Sequence, residues 1–499
     1  QSRLDDAYKD AGNLEAITDD LRKLLDMDSN WEEQLDTIKN PVEKRNARNK
    51  KEQEIAKLFH SAEKENLKSL SEAGILIAAL ADSNWLSEFG KYISDYRHLY
   101  ETQPEGVEGL VIYFEKTKFG NIVVGDSGAN RYYGDFALII DIGGNDVYEL
   151  PPAKQGKFRF IADLSGNDLY QNEKTGQAAG IGCVDVLCDL KGDDTYRSNY
   201  FSQGAGLLGI GILADFEGDD IYTSHWCSQG TGFLGIGILF DRKGNDNYFA
   251  DVYSQAFGYI KGMGIIMERE GNDSYKAGWK IPDSRDPKRA HLSMSQGYGY
   301  GMRPWTLGIN ADGGIGVLTD YNGHDVYNAD FFSQGGSYWY ALGILHDRKG
   351  CDRYTAGQYS QGSGIHLSFG ALLDDEGNDM YDAYAGLEQG NAHDLSSGCL
   401  EDYEGDDTYR GYGSSQGSAL TVAFAWLLDN QGNDMYICNQ ADTALSQGGG
   451  RYCTSRKMGS LGLLIDLGKG NDTYTEPRAE QGKAILKGNK GLIFDEGKK

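Results

Sequence analysis

Residues Leu207 to Gln229, LLGIGILADFEGDDIYTSHWCSQ, decide the fold, because the chain keeps rewriting them. Their kernel is D-x-x-G-[N/D]-D-x-Y, here Asp215, Gly218, Asp219, Asp220 and Tyr222. It returns as DIGGNDVY, DLSGNDLY, DLKGDDTY, DRKGNDNY, EREGNDSY, DYNGHDVY, DRKGCDRY, DDEGNDMY, DYEGDDTY and DNQGNDMY, and with one extra residue as DLGKGNDTY. Between copies lies S-Q-G-x-G, as in Ser202-Gln203-Gly204 and Ser228-Gln229-Gly230. A unit of this length cannot bury its apolar face alone, so successive units must stack.

Each unit reads as a flattened coil. The alternating GIGIL run (Gly211, Ile212, Leu213) is one strand, the D-x-Y segment a second, and SQGxG a corner or third short strand. Each strand then pairs in parallel with its neighbour about 4.8 Å away. The expected fold is mainly β: a right-handed parallel β-helix or β-solenoid of about 12–13 coils, each of about 26 residues, with an N-terminal α-helical domain. A propeller fits less well, since a blade needs about 40 residues.

Residues 1–105 differ in kind. They are almost free of Gly and rich in Lys, Glu, Leu and Ala, with Leu14, Ile17, Leu21, Leu24 and Leu25 at helical spacing. Further helical runs cover about 42–70 and 73–96. They are expected to form a small bundle or a cap on the first coil, or to bind a protein partner or a second copy. Residues 106–134 read as a transition and a degenerate first coil, and 135–499 as the solenoid. The step from Tyr275 to Tyr327 holds a single SQG, so it is one coil with insertions at about 279–292 and 302–312; a third insertion lies at about 449–457.

The 499 residues carry a formal charge of −27, from 75 acidic and 48 basic side chains. Such a surface repels nucleic acid, so nucleic-acid binding is set aside. No stretch approaches the roughly 18–20 apolar residues of a membrane span. A first residue of Gln rather than Met fits a processed exported chain as well as a trimmed one, and the expected location is extracytoplasmic. Seven cysteines do not make a disulfide framework at this length, although Cys438 and Cys453 bracket a loop and would pair in an oxidising compartment.

Three kinds of repeated residue invite a role. The kernel Gly is read as a positive-φ turn residue, the Tyr as an inward anchor, and the Gln of SQG as an amide ladder, each side chain donating to one rung and accepting from the other. The carboxylates are sharper. Leading aspartates Asp141, Asp163, Asp189, Asp215, Asp241, Asp320, Asp347, Asp374, Asp402, Asp429 and Asp466 form one column. Sixth-position aspartates Asp146, Asp168, Asp194, Asp220, Asp246, Asp273, Asp325, Asp352, Asp379, Asp407, Asp434 and Asp472 form another. Like charges about 4.8 Å apart repel by about 1 kcal/mol per pair in water and by several times more inside a protein. Either turn N–H groups or a divalent cation between rungs must compensate.

The segment Gly144-Asn145-Asp146-Val147-Tyr148 resembles the second half of the nonapeptide G-G-x-G-x-D-x-U-x of repeats-in-toxin β-rolls. That resemblance implies structural Ca²⁺ held at the turns. The first two glycines of the family's motif are Asp141 and Ile142 here, so it covers half a motif in one turn per coil.

Specific chemistry requires positions that break the repeat. Three residues after the motif Tyr come Asn199, His225, Asp251, Gly278 and Asp330, with aromatics Tyr200, Trp226, Trp279 and Phe331 following. Nearby insertions add Arg285, Lys288, Arg289, His291 and Arg303. His225, Asp251 and Asp330 are therefore the candidate catalytic residues of a polysaccharide lyase, glycoside hydrolase or glycan binder. The sequence holds no P-loop, HExxH, GxSxG or CxxC. The favoured reading remains a non-catalytic, calcium-stabilised scaffold or adhesion module.

Overall fold

A computed structural model describes residues 38–62, 68–95, 100–303, 310–439, 445–487 and 490–497. The apolar series from Leu14 to Leu25 lies outside the described residues, as does 304–309 within the second insertion. The rest is a parallel β-solenoid of about 12 coils, about 27 residues each. Two walls run its length, and a third is added along the coils from Ala179 to Leu420. A 16-strand sheet holds the long strands such as Ile210–Asp215, a 14-strand sheet holds the tyrosine strands such as Ile221–Thr223, and a 9-strand sheet holds the strands after SQG, such as Ala205–Leu207. Register is kept from coil to coil, with Ile210 opposite Ile236, Tyr196 opposite Tyr222 and Gly206 opposite Gly232. Tyr275 pairs directly with Tyr327, so the long step is a single coil carrying two insertions.

The strand period of two decides what lies inside. Along Ile210–Asp215, Gly211, Leu213 and Asp215 point inward. Leu213 packs on Tyr222, and their equivalents in every coil form one continuous core with two ladders, one aliphatic and one aromatic. Tyrosine rings from Tyr132 to Tyr474 stack with centroids 4.5–5.1 Å apart and planes within 15°. On the other side of Leu213 the coil narrows until two walls touch through glycines, and a Cβ on Gly211 would sit 2.2 Å from Ala205 O. Where the third wall has barely begun, the same inward positions hold Arg159 and Asp185, a buried two-pronged ion pair at 2.7 and 2.5 Å.

The kernel glycine serves a different purpose from the one expected. A φ in the left-handed region occurs at Gly144, Gly192 and Gly432, but not at Gly218 or most other copies. The common constraint is the neighbouring coil: a Cβ on Gly218 would lie 1.6 Å from Gly192 O, and one on Gly244 1.7 Å from Gly218 O. The turns stack too closely for any side chain. Left-handed backbone instead belongs to the Gln of SQG, with φ between 49° and 61° from Gln177 to Gln447.

Two described helices, α2 (Lys68–Ala78) and α3 (Ser83–Ser94), follow α1 (Pro41–Ala62). Asp82 caps α3 by accepting from the N–H groups of Asn84 and Trp85. Leu70, Ala73 and Leu86 pack on Ile140, Phe160, Val186 and Ile210, the outward face of the long-strand sheet. The helices thus lie along the flank of the early coils. At the first end of the core the hairpin Val111–Thr117/Gly120–Gly125 places Val111 and Val123 against it, and at the last Ile485 does so from Ala484–Leu486, antiparallel to Gly491–Asp495. Cys438 is buried beside Ser415 and Cys453 lies beside Ser455, both as free thiols.

If turn stacking sets the coil spacing, Gly218→Ala forces adjacent coils apart and lowers unfolding free energy by about 3 kcal/mol. Urea unfolding followed by circular dichroism measures this, and an unchanged midpoint would refute the close-approach account.

Candidate functional site

The two aspartate columns run side by side in the interior. Most leading carboxylates are held twice. Oδ1 accepts the N–H two residues on, as from Lys191 to Asp189 (3.0 Å) and Lys349 to Asp347 (3.2 Å), but in Asp215, Asp374, Asp402 and Asp429 it is buried without a partner. Oδ2 accepts the hydroxyl of the preceding coil's tyrosine, as from Tyr170 to Asp189, Tyr196 to Asp215 and Tyr222 to Asp241, all at 2.6 Å. Each sixth-position carboxylate is held once, its Oδ1 accepting the N–H of the preceding sixth-position Asp: Asp168 to Asp194, Asp194 to Asp220 and Asp220 to Asp246, each 2.6 Å. Its Oδ2 has no protein partner. Twelve such oxygens, from Asp146 to Asp472, are buried and unpaired.

These oxygens face the leading carboxylates. Asp189, Asp194 and Asp215 place carboxylate oxygens within 4.8 Å of one another, and the grouping repeats as Asp141/Asp146/Asp163, Asp163/Asp168/Asp189, Asp215/Asp220/Asp241 and Asp241/Asp246/Glu268, with 6 more. Such groups are able to hold a metal ion. Glu268 belongs to the set although the sequence reading passed over it: its Oε2 accepts from Tyr248 (2.7 Å) in the place of a leading Asp. Asn130 opens the column as a neutral rung, donating from Nδ2 to Asp141 (2.9 Å) and from its N–H to Asp146 (2.6 Å).

Burial is the main force on these carboxyls, and it favours the protonated form. Asp141, Asp168, Asp241 and Asp320 are pushed up to about 6, restrained by hydrogen bonds to their charged forms. Asp194, Asp374 and Asp466 rise to about 7, and Asp146, Asp352 and Asp434 to about 8. Neighbouring carboxylates help lift Asp246 and Asp273 to about 9, Asp325 and Asp407 to about 10, Asp379 to about 11 and Asp220 to about 12. Asp163, Asp189, Asp215, Asp347, Asp402 and Asp429 are raised well above the usual range, and Asp472 is raised, all chiefly by burial. An uncompensated buried charge costs several kcal/mol, and a folded domain has only about 5–15 kcal/mol to lose. Full ionisation of the column is therefore costly, and protons or bound cations would relieve that cost.

The SQG glutamines do not form an amide ladder. Gln203 Nε2 donates to Tyr196 O (2.9 Å) and to Thr223 O of the next coil (3.0 Å), and its Oε1 is buried without a partner. Amide-to-amide bonds occur at Gln296 to Gln255 (3.2 Å) and Gln447 to Gln416 (2.9 Å). Elsewhere the side chain staples the tyrosine strand of its own coil to that of the next.

On the surface, the structure brings two of the three candidate catalytic residues together. His225 Nδ1 lies 2.6 Å from Asp251 Oδ2, and Lys280 of the first insertion reaches the same oxygen at 2.8 Å. Asp330 stands apart and is only 1% exposed. It accepts from His291 N–H (2.6 Å) and Tyr384 hydroxyl (2.5 Å), which ties the insertion to the coils. Trp279 is 46% exposed with a left-handed backbone (φ 77°). Arg285 is drawn onto Asp283 and over Phe332, and Arg289 pairs with Asp286, so neither faces His225.

A second cluster escaped the sequence reading. Arg303 turns to the corner between the third and long-strand sheets, where its Nη1 lies 2.6 Å from His366 Nε2. His366 Nδ1 is 2.7 Å from Asp394 Oδ2, and Arg456 of the third insertion donates to the other Asp394 oxygen. Burial and Arg303 lower His366 to about 4, and burial lowers the adjacent His393. The available signal was register: HLS after SQGSGI and HDL after EQGNA place His366 and Asp394 on adjacent coils.

No protein-family model matches this chain, and neither a curated protein nor a solved structure shows significant similarity to it.

Tyr222→Phe removes the donor to Asp241 and costs about 1–3 kcal/mol. The hydroxyl also restrains the Asp241 carboxyl, so its loss raises that folded-state pKa further. A carboxyl raised above its unfolded value loses stability as pH rises, so in metal-free buffer the deficit is larger at pH 8 than at pH 5. Paired urea titrations measure it, and an equal or smaller deficit at pH 8 contradicts the assignment.

Proposed function

We propose that the chain is a non-catalytic extracytoplasmic scaffold or adhesion module, a stiff acidic rod whose aspartate columns take up Ca²⁺. The observation that carries this is the run of twelve buried, unpartnered Oδ2 atoms along a column whose carboxylates converge in groups of three. All-oxygen, multiply charged groups suit a hard cation of variable coordination number, and Ca²⁺ accepts 6–8 oxygens where Mg²⁺ demands a tight octahedron. The holding residues are the leading and sixth-position acids named above. When bound, the ion supplies positive charge where the fold otherwise needs protons. Weak extracellular sites fill at about 10⁻⁴–10⁻³ M Ca²⁺, which favours a location outside the cytoplasm. We take the coils to wind right-handed, the hand that parallel β crossovers adopt.

A scaffold also needs an attachment surface. Ile75, Leu76, Trp85 and Tyr92 of α2 and α3 are exposed large apolar side chains, the features of a protein-partner or self-association surface. No described helix is long and apolar enough to cross a membrane.

A glycan-binding flank is the second reading, favoured by Trp279, an exposed indole in backbone that bulky residues rarely adopt, beside His225, Asp251 and Lys280. On that reading Trp279→Ala abolishes retention on a glycan array while leaving the melting temperature within about 2 °C; retention that survives the change excludes this surface.

Thermal unfolding separates protons from cations. In EDTA the raised carboxyls stabilise the fold only while protonated, so the melting temperature falls as pH rises from about 4 through about 9. With millimolar Ca²⁺ the fall is abolished, and the gap between the two curves widens with pH. A Ca²⁺ curve superimposed on the EDTA curve at every pH would show that the turns and protons suffice, and would remove the metal from this reading.

A further inference from the structure

The corner holding His366 and Asp394 opens onto a groove of about 520 Å³ along the outer face of the long-strand sheet. Tyr340, Leu367, Phe369, Leu395, Val422 and Phe424 line it, and the third insertion closes one side at Gly459. Groove and cluster are continuous in the chain. Leu367 follows His366, Leu395 follows Asp394, and Val422 follows Thr421, whose carbonyl accepts from Arg456 (3.4 Å). One lip is therefore charged and the bed is apolar.

The backbone fixes where these side chains stand. His366 and Leu367 have φ of 57° and 63°, Asp394 and Leu395 64° and 60°, Thr421 and Val422 56° and 65°. Trp339 and Tyr340 one coil earlier have 60° and 49°, and Ile260 and Lys261 39° and 55°, so left-handed backbone is the recurrent geometry of this turn, and it sets Tyr340, Leu367, Leu395 and Val422 at equivalent places on successive coils.

Charge specifies the ligand. With both histidines neutral, the lip sets Arg303 and Arg456 against Asp394, and Lys490 Nζ lies beside Gly459. This is a local excess of positive charge on a chain of net −27. Arg456 meets the chain through Nη1, while a guanidinium carries five N–H donors in a fork that matches a carboxylate. His393 Nδ1 is a further buried atom without a partner.

We propose that this corner binds an amphiphilic carboxylate, its apolar chain lying in the groove and its head group received by Arg456 at the lip. The site uses none of the column's aspartates, so it stands or falls independently of the calcium reading. Isothermal titration with dodecanoate below its micelle concentration, against dodecanol and dodecyltrimethylammonium, tests it on the full chain. One dodecanoate per chain is expected, with dodecanol at least tenfold weaker and the cation weaker still. Arg456→Gln and Leu395→Asp should each weaken dodecanoate at least tenfold with an unchanged circular dichroism spectrum. Equal affinity for all three amphiphiles, no binding of dodecanoate, or full affinity in a folded Arg456→Gln chain would each overturn the proposal. Should Arg456→Gln fail to fold, the comparison of dodecanoate with dodecanol on the unaltered chain decides.

Discussion

The bond from each motif tyrosine to the leading carboxylate of the next coil is the constraint on which the rest depends. It joins coils rather than residues of one coil, as in Tyr196 to Asp215 and Tyr327 to Asp347, both 2.6 Å. A hydroxyl meets a buried carboxyl only if the ring lies inward and the coils remain in register. That demand places Leu213 beside Tyr222 in the core, keeps the turns at stacking distance, and excludes a side chain at Gly218. Aromatic burial supplies the driving force, and the polar tip supplies the registration.

The same economy creates the fold's main electrical problem. A stack that repeats one turn must repeat its charge, and among the described residues no interior cation is set against each pair of acids. The one buried arginine among the described coils, Arg159, is spent on Asp185 at the opposite side of the section. Asn130 shows how a neutral side chain solves the matter at a single rung, donating to Asp141 where another carboxylate would repel it. Further along, the carboxylates recur in every coil, and nothing in the turn geometry reaches the second oxygen of the sixth-position residue. A proton, a cation or a water molecule is able to do so, and which one does so is a property of the solution as much as of the chain.

The parts of the fold legible in the sequence are those carried by side-chain type at a fixed interval. The three strands, the inward tyrosine and the single coil between Tyr275 and Tyr327 follow from period and spacing alone. The expected role of the kernel glycine failed because sequence shows that a small residue is required, not whether a torsion or a neighbour requires it. The glutamine failed for the converse reason. Its side chain satisfies two backbone carbonyls from left-handed backbone, a conformation that spacing alone does not reveal.

The candidate sites divide along the same line. Aspartates that recur were visible as columns, although Glu268 slipped through because the pattern was drawn for Asp. His225 and Asp251 were visible as neighbours, since both sit three residues after a motif tyrosine and their coils are equal in length. His366 and Asp394 are also equivalent positions, but the corner they occupy lies beyond SQG, where later coils gain a residue and the count from the tyrosine drifts. Arg303 and Arg456 enter from insertions whose direction no period specifies. A repeat protein writes its scaffold in the repeat and places specific recognition where the repeat fails. In this chain the departures gather at two corners, and the one at His366 also presents an apolar groove with a basic lip.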